Sequence, residues 1–193
     1  MPNLYIISGC NGAGKTTASF TILPEIINCK EFVNADEIAK GLSPFQPEKV
    51  SFHAGRIMLE RIDELLKTEV DFGFETTLTT LSYMKTIKLA REKGYSISLI
   101  YFWLNNVNLA IERVKTRVGE GGHNIPEQII RRRYFRGIKN LTTKFLSICD
   151  YWVVINNSSR PFSLIAEGTK EKELRIDDNI IWQKIKNQPD EEK

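Results

Sequence analysis

Short apolar runs alternate with longer amphipathic segments along the chain, and this alternation predicts the secondary structure. Five runs have the length and the β-branched or aromatic content of strands. They are Leu4 to Ile7, Phe32 to Val33, Val70 to Phe74, Ser96 to Leu104 and Tyr151 to Ile155. The run from 96 to 104 is the most apolar, which predicts a central strand buried on both faces of a parallel sheet.

Helical periodicity fills the stretches between these runs. Apolar residues recur at spacings of three and four, and the predicted helices cover 15–28, 37–40, 50–67, 81–93, 107–118, 126–145 and 179–186. In the first of them Phe20, Leu23 and Ile27 are expected in the core, and Pro24 is expected to kink the helix or end it early. Residues 162–168 and 173–176 are candidates for a small hairpin at one edge of the sheet.

The turn between the first strand and the first helix carries the strongest chemical signal. Its sequence GCNGAGKT fits the phosphate-loop pattern of Gly, four residues, Gly, Lys and Ser or Thr. Glycines at three positions allow successive backbone N–H groups to point at phosphate oxygens, Lys15 adds a charge near the β- and γ-phosphates, and Thr16 offers a hydroxyl to Mg²⁺. The predicted nucleotide-binding residues are Gly9, Asn11, Gly12, Ala13, Gly14, Lys15, Thr16 and Thr17.

Two further predicted strands end in carboxylates, Asp36 after the second and Glu75 after the third. Because the carboxyl ends of parallel strands face one crevice, Asp36 becomes the leading candidate for a catalytic base. Glu75 and the hydroxyl of Thr77 suit a polyhydroxyl substrate. The alternative is that Asp36, Glu75 or Thr77 only caps the helix that follows it. No acid interrupts 96–104, so metal binding is expected to depend mainly on Thr16, phosphate oxygens and water.

Arginines cluster on both sides of a glycine-rich segment, residues 119–124. Arg113 and Arg117 lie four apart on one face of the preceding helix, and Arg131, Arg132, Arg133 and Arg136 follow in the next helix. Helix, glycine hinge and basic helix are typical of a mobile lid over a phosphoryl-transfer site, with Arg117 as the best candidate for the clamp. A solvated helix face and a nucleic-acid patch are the alternatives, although no interleaved aromatic residues provide a platform for bases.

Composition limits the remaining possibilities. A chain of 193 residues with 41% hydrophobic residues suits one core, so a single domain over 1–187 with a frayed tail at 188–193 is expected. The net charge of +3 does not require a nucleic-acid partner. Cys10, Cys29 and Cys149 form no metal-ligand pattern and are expected to be free thiols. The sequence shows neither a charged leader nor an apolar run near the roughly 20 residues that span a bilayer, so a soluble, cytoplasmic protein is expected. A monomer is also expected.

The phosphate loop, the Asp36 strand end, the segment Glu75-Thr76-Thr77-Leu78 and the arginine-rich lid together resemble the zeta-toxin-like P-loop kinases, over about residues 1–160. The resemblance implies an α/β fold of the P-loop kinase type. This is a three-layer sandwich with a mainly parallel five-stranded core sheet and a helical, arginine-rich lid at about 107–137.

The resemblance also implies an activity, the transfer of the ATP γ-phosphate, with Mg²⁺, to the 3′-hydroxyl of UDP-N-acetylglucosamine. By position, Asp36 is then the base that deprotonates the sugar, and Glu75 and Thr77 hold it. An antitoxin protein is the implied partner. The lid sequence GGHNIP departs from the family pattern, and His123 aligns where a second lid arginine belongs. The remaining residues assigned to the substrate are Arg113, Arg132 and Arg133.

Three functional classes are compatible with these residues. A metabolite kinase of zeta type is favoured, a kinase for another small hydroxyl compound such as a sugar acid or nucleoside comes next, and a nucleotide-binding switch without phosphotransfer is third. Asp36 separates the kinases from the switch, because a switch has no need of a base that removes a hydroxyl proton. Glu75 and Thr77 bear on which kinase it is.

Overall fold

A seven-stranded sheet flanked by helices forms the framework of the computed structural model, which describes residues 1–122 and 124–188. The strands are β1 Asn3–Gly9, β2 Glu31–Val33, β3 Phe72–Thr76, β4 Ser96–Trp103, β5 Tyr151–Asn156, β6 Ser163–Gly168 and β7 Glu173–Ile176. The helices are α1 Lys15–Thr21, α2 Ala35–Leu42, α3 Ser51–Thr68, α4 Tyr83–Glu92, α5 Val107–Gly119, α6 Glu127–Asn140 and α7 Asn179–Lys186.

The strand order is β2-β3-β1-β4-β5-β6-β7. The first five strands in this order are parallel, which confirms the predicted α/β fold with a parallel core. The predicted edge hairpin is also present, and it pairs antiparallel with β5, so the sheet has seven strands and not five. Because β1, β2 and β3 are parallel neighbours, their carboxyl ends converge on one edge of the sheet.

The core lies on both faces of the central strands. Ile6 and Ile7 of β1, consecutive residues whose side chains point to opposite faces of the sheet, are both fully buried, as expected for a strand covered by helices on both sides. The predicted core face of α6 and the turn after it is confirmed, since all of its members are buried. These are Ile130, Tyr134, Ile138, Leu141 and Phe145.

The first helix is shorter than predicted. α1 ends at Thr21, and a single π-helical turn, Ile22–Ile26, follows it around Pro24, whose ring cannot continue a regular helix. Leu23 is buried as expected, but the prediction for Phe20 was wrong, because 60% of its surface is exposed. Its ring lies edge-on to Phe32 of the edge strand β2, at a centroid distance of 6.1 Å, where no further strand covers it.

Both helices of the predicted lid are anchored in the core. Ala110 and Val114 of α5 are buried, as are Ile130 and Ile138 of α6. A swing of this whole region would expose these side chains to water. His123 belongs to the connection between α5 and α6 and lies outside the described residues. None of the helices in the described part of the chain is long and apolar enough to cross a bilayer.

Candidate active site

The phosphate loop connects β1 directly to α1, and its glycines are required by both conformation and space. Gly9, Gly12 and Gly14 have φ values of 140°, 77° and 80°. A Cβ on Gly12 would lie 2.7 Å from the carbonyl oxygen of Ala110, and one on Gly14 would lie 2.6 Å from Asn157 Nδ2. The loop is therefore shaped by the elements packed against it as well as by its own sequence.

The side chains of Lys15 and Thr16 both contact Glu75 at the end of β3. Thr16 Oγ1 donates to Glu75 Oε2 at 2.7 Å, and Lys15 Nζ lies 3.4 Å from Glu75 Oε1. Lys15 also donates to the Cys10 carbonyl at 2.9 Å. The two charged side chains are only 6% and 9% exposed, so each offsets the desolvation of the other. Glu75, which was predicted to bind the substrate, thus contacts the phosphate-loop residues Lys15 and Thr16 directly.

Asn34 organises the position of Asp36. It is the N-cap of α2, and its Oδ1 accepts from the backbone N–H of Asp36 at 2.8 Å, while its Nδ2 donates to Glu75 Oε2 at 2.8 Å. The alternative that Asp36 caps this helix is thus wrong, because Asn34 does so. The Asp36 carboxylate instead lines the cavities beside the phosphate loop.

Thr77 does not cap a helix either. The next helix, α4, begins at Tyr83 after Ser82, six residues beyond Thr77, so the capping alternatives for Glu75 and Thr77 are wrong. The Thr77 hydroxyl lies 2.7 Å from that of Thr79, within the loop that connects β3 to α4. Thr77 is left in a position to line a cavity.

Two cavities meet at the end of β1. The first, which we name the nucleotide cavity after the predicted role of the phosphate loop, has a volume of about 580 Å³ and is lined by that loop together with Phe20, Lys40, Arg113 and Arg117. The acceptor cavity, of about 200 Å³, is lined by the loop after β3 together with Met58, Tyr83 and Arg133. The residues common to both cavities are Asn11, Lys15, Asp36 and Glu75. The proposed base and the phosphate-binding lysine therefore stand at the boundary.

Arg113 and Arg117 line the nucleotide cavity but differ in their bonding. Arg113 donates to the carbonyls of Asn157 and Ser158 at 2.9 and 3.0 Å, which fixes the loop after β5. Arg117 has Nε and Nη2 atoms that are buried without a hydrogen-bond partner in the described part of the chain. Because unpaired buried donors are unfavourable, this guanidinium is suited to receive an anion.

The arginines of α6 separate into a site residue and surface residues. Arg133 Nη1 donates to Asn11 Oδ1 at 3.1 Å, and the side chain lines the acceptor cavity. Burial lowers the pKa of Arg133, and the nearby Asp36 carboxylate opposes that shift. Arg131 bonds to Asn108 at the surface. Arg132 is exposed and, within the described residues, lines neither cavity.

Oxygen ligands for Mg²⁺ are present beside the phosphate loop. The described residues contain no group of three or more His, Cys, Asp or Glu side chains that could hold a metal ion. Mg²⁺ in phosphoryl-transfer sites usually takes only one or two carboxylates, with phosphates and water completing its shell. The Thr16 hydroxyl and the Glu75 carboxylate, 2.7 Å apart, fit this requirement. The metal-binding prediction considered an acid in β4, whereas the available acid, Glu75, lies in β3, the other neighbour of β1.

The three cysteines are free thiols, as predicted, and all three are buried. Burial raises the pKa of Cys10, inside the phosphate loop, to about 11 in spite of the nearby Lys15 charge. Its thiol therefore remains protonated at neutral pH.

Several asparagines of the site were missed by the sequence analysis. Asn157 donates to the carbonyl of Ala13 at 2.7 Å and is 4% exposed, and Asn34 joins α2 to Glu75. Asn34 had a usable signal, since it directly follows an apolar run and precedes Asp36 by two residues, as an N-cap does. Asn157 had none, because its partner lies 144 positions away in the sequence.

Comparison with known proteins agrees with this geometry. Residues 1–164 match the family described as Zeta toxin. An uncharacterized protein of Haemophilus influenzae is 32% identical over 126 residues, which are 65% of this chain and 88% of that protein.

Two solved structures share the fold over 96% of this chain. The AvrRxo1-ORF1:AvrRxo1-ORF2 complex, solved with sulphate ions and with ATP, gives TM-scores of 0.76 and 0.74 at 14% identity, and this chain spans 64% of the matched chain. A structure from the PezAT chromosomal toxin-antitoxin system of Streptococcus pneumoniae gives 0.69 at 18% identity, with 78% of its chain covered. At these identities the structural matches establish the fold.

Proposed function

Since the chain belongs to the zeta toxin family, we propose that it is a phosphotransferase of the P-loop kinase type, which transfers the γ-phosphate of ATP to a sugar hydroxyl of UDP-N-acetylglucosamine. The observation that carries this proposal is the place of Asp36 on the wall shared by two adjoining cavities. One cavity offers the phosphate loop and the other offers hydroxyl and amide groups. A base between them is what transfer from a nucleotide to an alcohol requires.

ATP is the proposed donor, and the nucleotide cavity supports it. Backbone N–H groups of the loop, the Lys15 ammonium and the Arg117 guanidinium, whose Nε and Nη2 are unpaired, provide hydrogen-bond donors and positive charge to this one cavity. A solved neighbour with the same fold contains ATP. Phosphate oxygens would replace the Glu75 carboxylate as the partner of Lys15. Mg²⁺, held by Thr16 and Glu75, would neutralise charge on the phosphates when bound.

The proposed reaction follows from these positions. The acceptor hydroxyl enters the acceptor cavity, and Asp36 accepts its proton as the oxygen attacks the γ-phosphorus. A bond forms between the acceptor oxygen and phosphorus, the bond from phosphorus to the β,γ-bridging oxygen breaks, and ADP leaves. Lys15 and Arg117 offset charge on the transferring group, and Arg133 faces Asp36 from the acceptor side.

The identity of the acceptor depends on the second cavity. Thr77, Thr80 and Tyr83 line it with hydroxyls, which suits a sugar. Its volume of about 200 Å³ is below the roughly 300–1,000 Å³ typical of pockets for drug-sized ligands, so it accommodates a single ring and leaves the rest of a nucleotide sugar outside. This volume favours, as a second candidate, a smaller hydroxyl compound such as a sugar acid or a nucleoside. Under both proposals Asp36 distinguishes the protein from a non-catalytic switch.

We further propose one domain over residues 1–187 and an antitoxin as partner. The continuous sheet and its shared core support the single domain. The pneumococcal neighbour belongs to a toxin-antitoxin system, which supports the partner. Size-exclusion chromatography of the protein alone tests the proposed monomer.

The deciding experiment incubates the protein with Mg-ATP and separate nucleotide sugars, nucleosides and sugar acids, and measures the products by mass. UDP-N-acetylglucosamine should gain one phosphate, and the Asp36→Asn variant should form the product at least about 100-fold more slowly. Phosphorylation of a different compound would select the second candidate. If no compound gains a phosphate while ATP binds normally, the kinase proposal fails.

A further inference from the structure

The loop after β3 that supplies the acceptor cavity is held in an unusual conformation. Leu78 has a φ of 55°, in the left-handed region that leucine rarely adopts. Its side chain is fully buried, and its N–H donates to Thr76 Oγ1 at 3.1 Å. Thr77 and Thr79, whose hydroxyls pair at 2.7 Å, lie on either side of it. The direction of the Thr77 hydroxyl therefore depends on the backbone of Leu78.

Asn140, the last residue of α6, fixes that backbone from the opposite side. Its Nδ2 donates to the carbonyls of Leu78 and Thr79 at 2.6 and 3.2 Å, and the residue is 8% exposed. Gly137, nearly one turn earlier, allows the helix to approach. A Cβ at that position would lie 2.7 Å from the Thr77 carbonyl oxygen. One face of α6 thus lies against three consecutive carbonyls of the loop, those of Thr77, Leu78 and Thr79.

The same face of α6 reaches the phosphate loop. Arg133, Gly137 and Asn140 follow at spacings of four and three and so lie on one side of the helix. Arg133 donates to Asn11 of the phosphate loop, and Asn140 holds the loop of the acceptor cavity. Seven residues of α-helix correspond to about 10 Å, so one rigid element sets the separation of the two loops. Phosphoryl transfer depends on such placement because the protein does little covalent chemistry itself.

We propose that Asn140 is a positioning residue for the phosphate acceptor. It acts through the backbone of Leu78 and Thr79, which places the Thr77 hydroxyl in the acceptor cavity, and it does not itself line that cavity. The proposal rests on the kinase function proposed above and deepens it, since it assigns control of acceptor binding to a residue of α6. ATP binding lies outside this control, because Lys15 and Thr16 are held by Glu75 and by the loop's own backbone.

The test compares Asn140→Ala with Ile138→Val, a control that removes one methylene from a buried residue of the same helix. Hydrogen-deuterium exchange is measured for peptides covering 76–82 and 10–17. KM is measured for ATP and for the acceptor, with UDP-N-acetylglucosamine as the first probe. In Asn140→Ala, the hydrogen-deuterium exchange rate of 76–82 and the KM for the acceptor should each rise about tenfold. The KM for ATP and the exchange rate of 10–17 should stay unchanged. Ile138→Val should change neither the exchange rate of 76–82 nor the KM for the acceptor.

Gly137→Ala provides a second perturbation that keeps the Asn140 amide. It should displace the loop and raise the acceptor KM without changing ATP KM. The proposal is overturned if both variants leave the exchange of 76–82 at the level of Ile138→Val, or if Asn140→Ala alters only the melting temperature. If the wild-type protein phosphorylates no acceptor, the function proposal fails and exchange alone decides: faster exchange of 76–82 in Asn140→Ala supports the positioning of the loop, and unchanged exchange refutes it.

Discussion

The nucleotide cavity and the acceptor cavity adjoin each other but are constructed in different ways. The phosphate-binding part of the nucleotide cavity is one continuous segment, residues 9–17, and side chains of α1, α2, β3 and α5 complete the lining. The acceptor side is assembled from the ends of β2 and β3, from α3, from the start of α4 and from α6. The phosphate-binding segment depends on local conformation, whereas the acceptor cavity, apart from Asn11 and Lys15, depends on how separate strands and helices pack.

This difference implies that changes to the two sides should separate in kinetics. A change on the nucleotide side should remove catalysis with every acceptor, because the phosphate loop is common to all. A change on the acceptor side should alter which compound binds and how well. Asp36 and Lys15, which line both cavities, should show the strongest effects.

Lys15→Met should have the largest effect, reducing ATP turnover to background. The substitution removes the charge that faces the phosphates and keeps the apolar stem, while Glu75 retains its bonds to Thr16 and Asn34. Turnover and melting temperature are both measured. A variant that is folded and nearly as active as wild type would contradict the assignment of the phosphate loop.

Asp36→Asn should reduce kcat by about 10²–10⁴-fold and leave ATP affinity unchanged, since the amide keeps the shape and loses the proton acceptor. Glu37→Gln is the matched comparison, because Glu37 is the next residue of α2 and also lines the nucleotide cavity, but it is absent from the acceptor cavity and pairs with Lys40. Pre-steady-state turnover and nucleotide titration provide the two quantities. Equal, small effects in both variants would exclude Asp36 as the base.

Arg117→Lys and Arg133→Lys should affect different kinetic constants, because each arginine lines a different cavity. Lysine keeps the charge but lacks the planar fork, so Arg117→Lys should lower kcat by about 10–100-fold with little change in the acceptor KM. Arg133→Lys should mainly raise the acceptor KM, because Arg133 lines the acceptor cavity. The reverse pattern would place the transition-state clamp on α6.

Thr77→Val should have the most specific effect, confined to acceptor binding. Loss of a hydroxyl that bonds the acceptor would weaken acceptor binding by about 1–3 kcal/mol, or about 5- to 150-fold, with ATP binding unchanged. Because Thr77 caps no helix, the melting temperature should stay within a few degrees of wild type. A lower melting temperature with unchanged acceptor affinity would assign Thr77 a structural role.

The parts of the fold that follow from local pattern were predicted from the sequence. The central strand at 96–104, the helix at 179–186 and the apolar face of α6 agree with the structure, because periodicity and burial are local consequences of side-chain polarity. The phosphate loop was predicted for the same reason, since its chemistry lies in consecutive residues. Phe20 was placed wrongly because its exposure depends on β2 being an edge strand.

The acceptor side could be predicted only in part. Asp36 and Glu75 were identified because strand ends have a recognisable position, but the contact of Glu75 with Thr16 spans 59 residues and has no sequence pattern. Asn140 and Leu78 are 62 residues apart. Contacts of this kind depend on the packing of α6 against the loop, which hydrophobic periodicity does not specify.

The last two strands of the sheet, β6 and β7, limit how far the chain can be truncated from its C-terminal side. Similarity to the family ends at residue 164, inside β6, yet Ile165 and Ala166 of that strand are fully buried and Trp182 of α7 stacks on Trp152 of β5 at 5.4 Å. A fragment truncated at 164 would leave β5 as an unprotected edge with its tryptophan uncovered, an arrangement prone to aggregation. Expression of this kinase as a minimal unit therefore requires the polypeptide to continue through Lys186, where α7 ends.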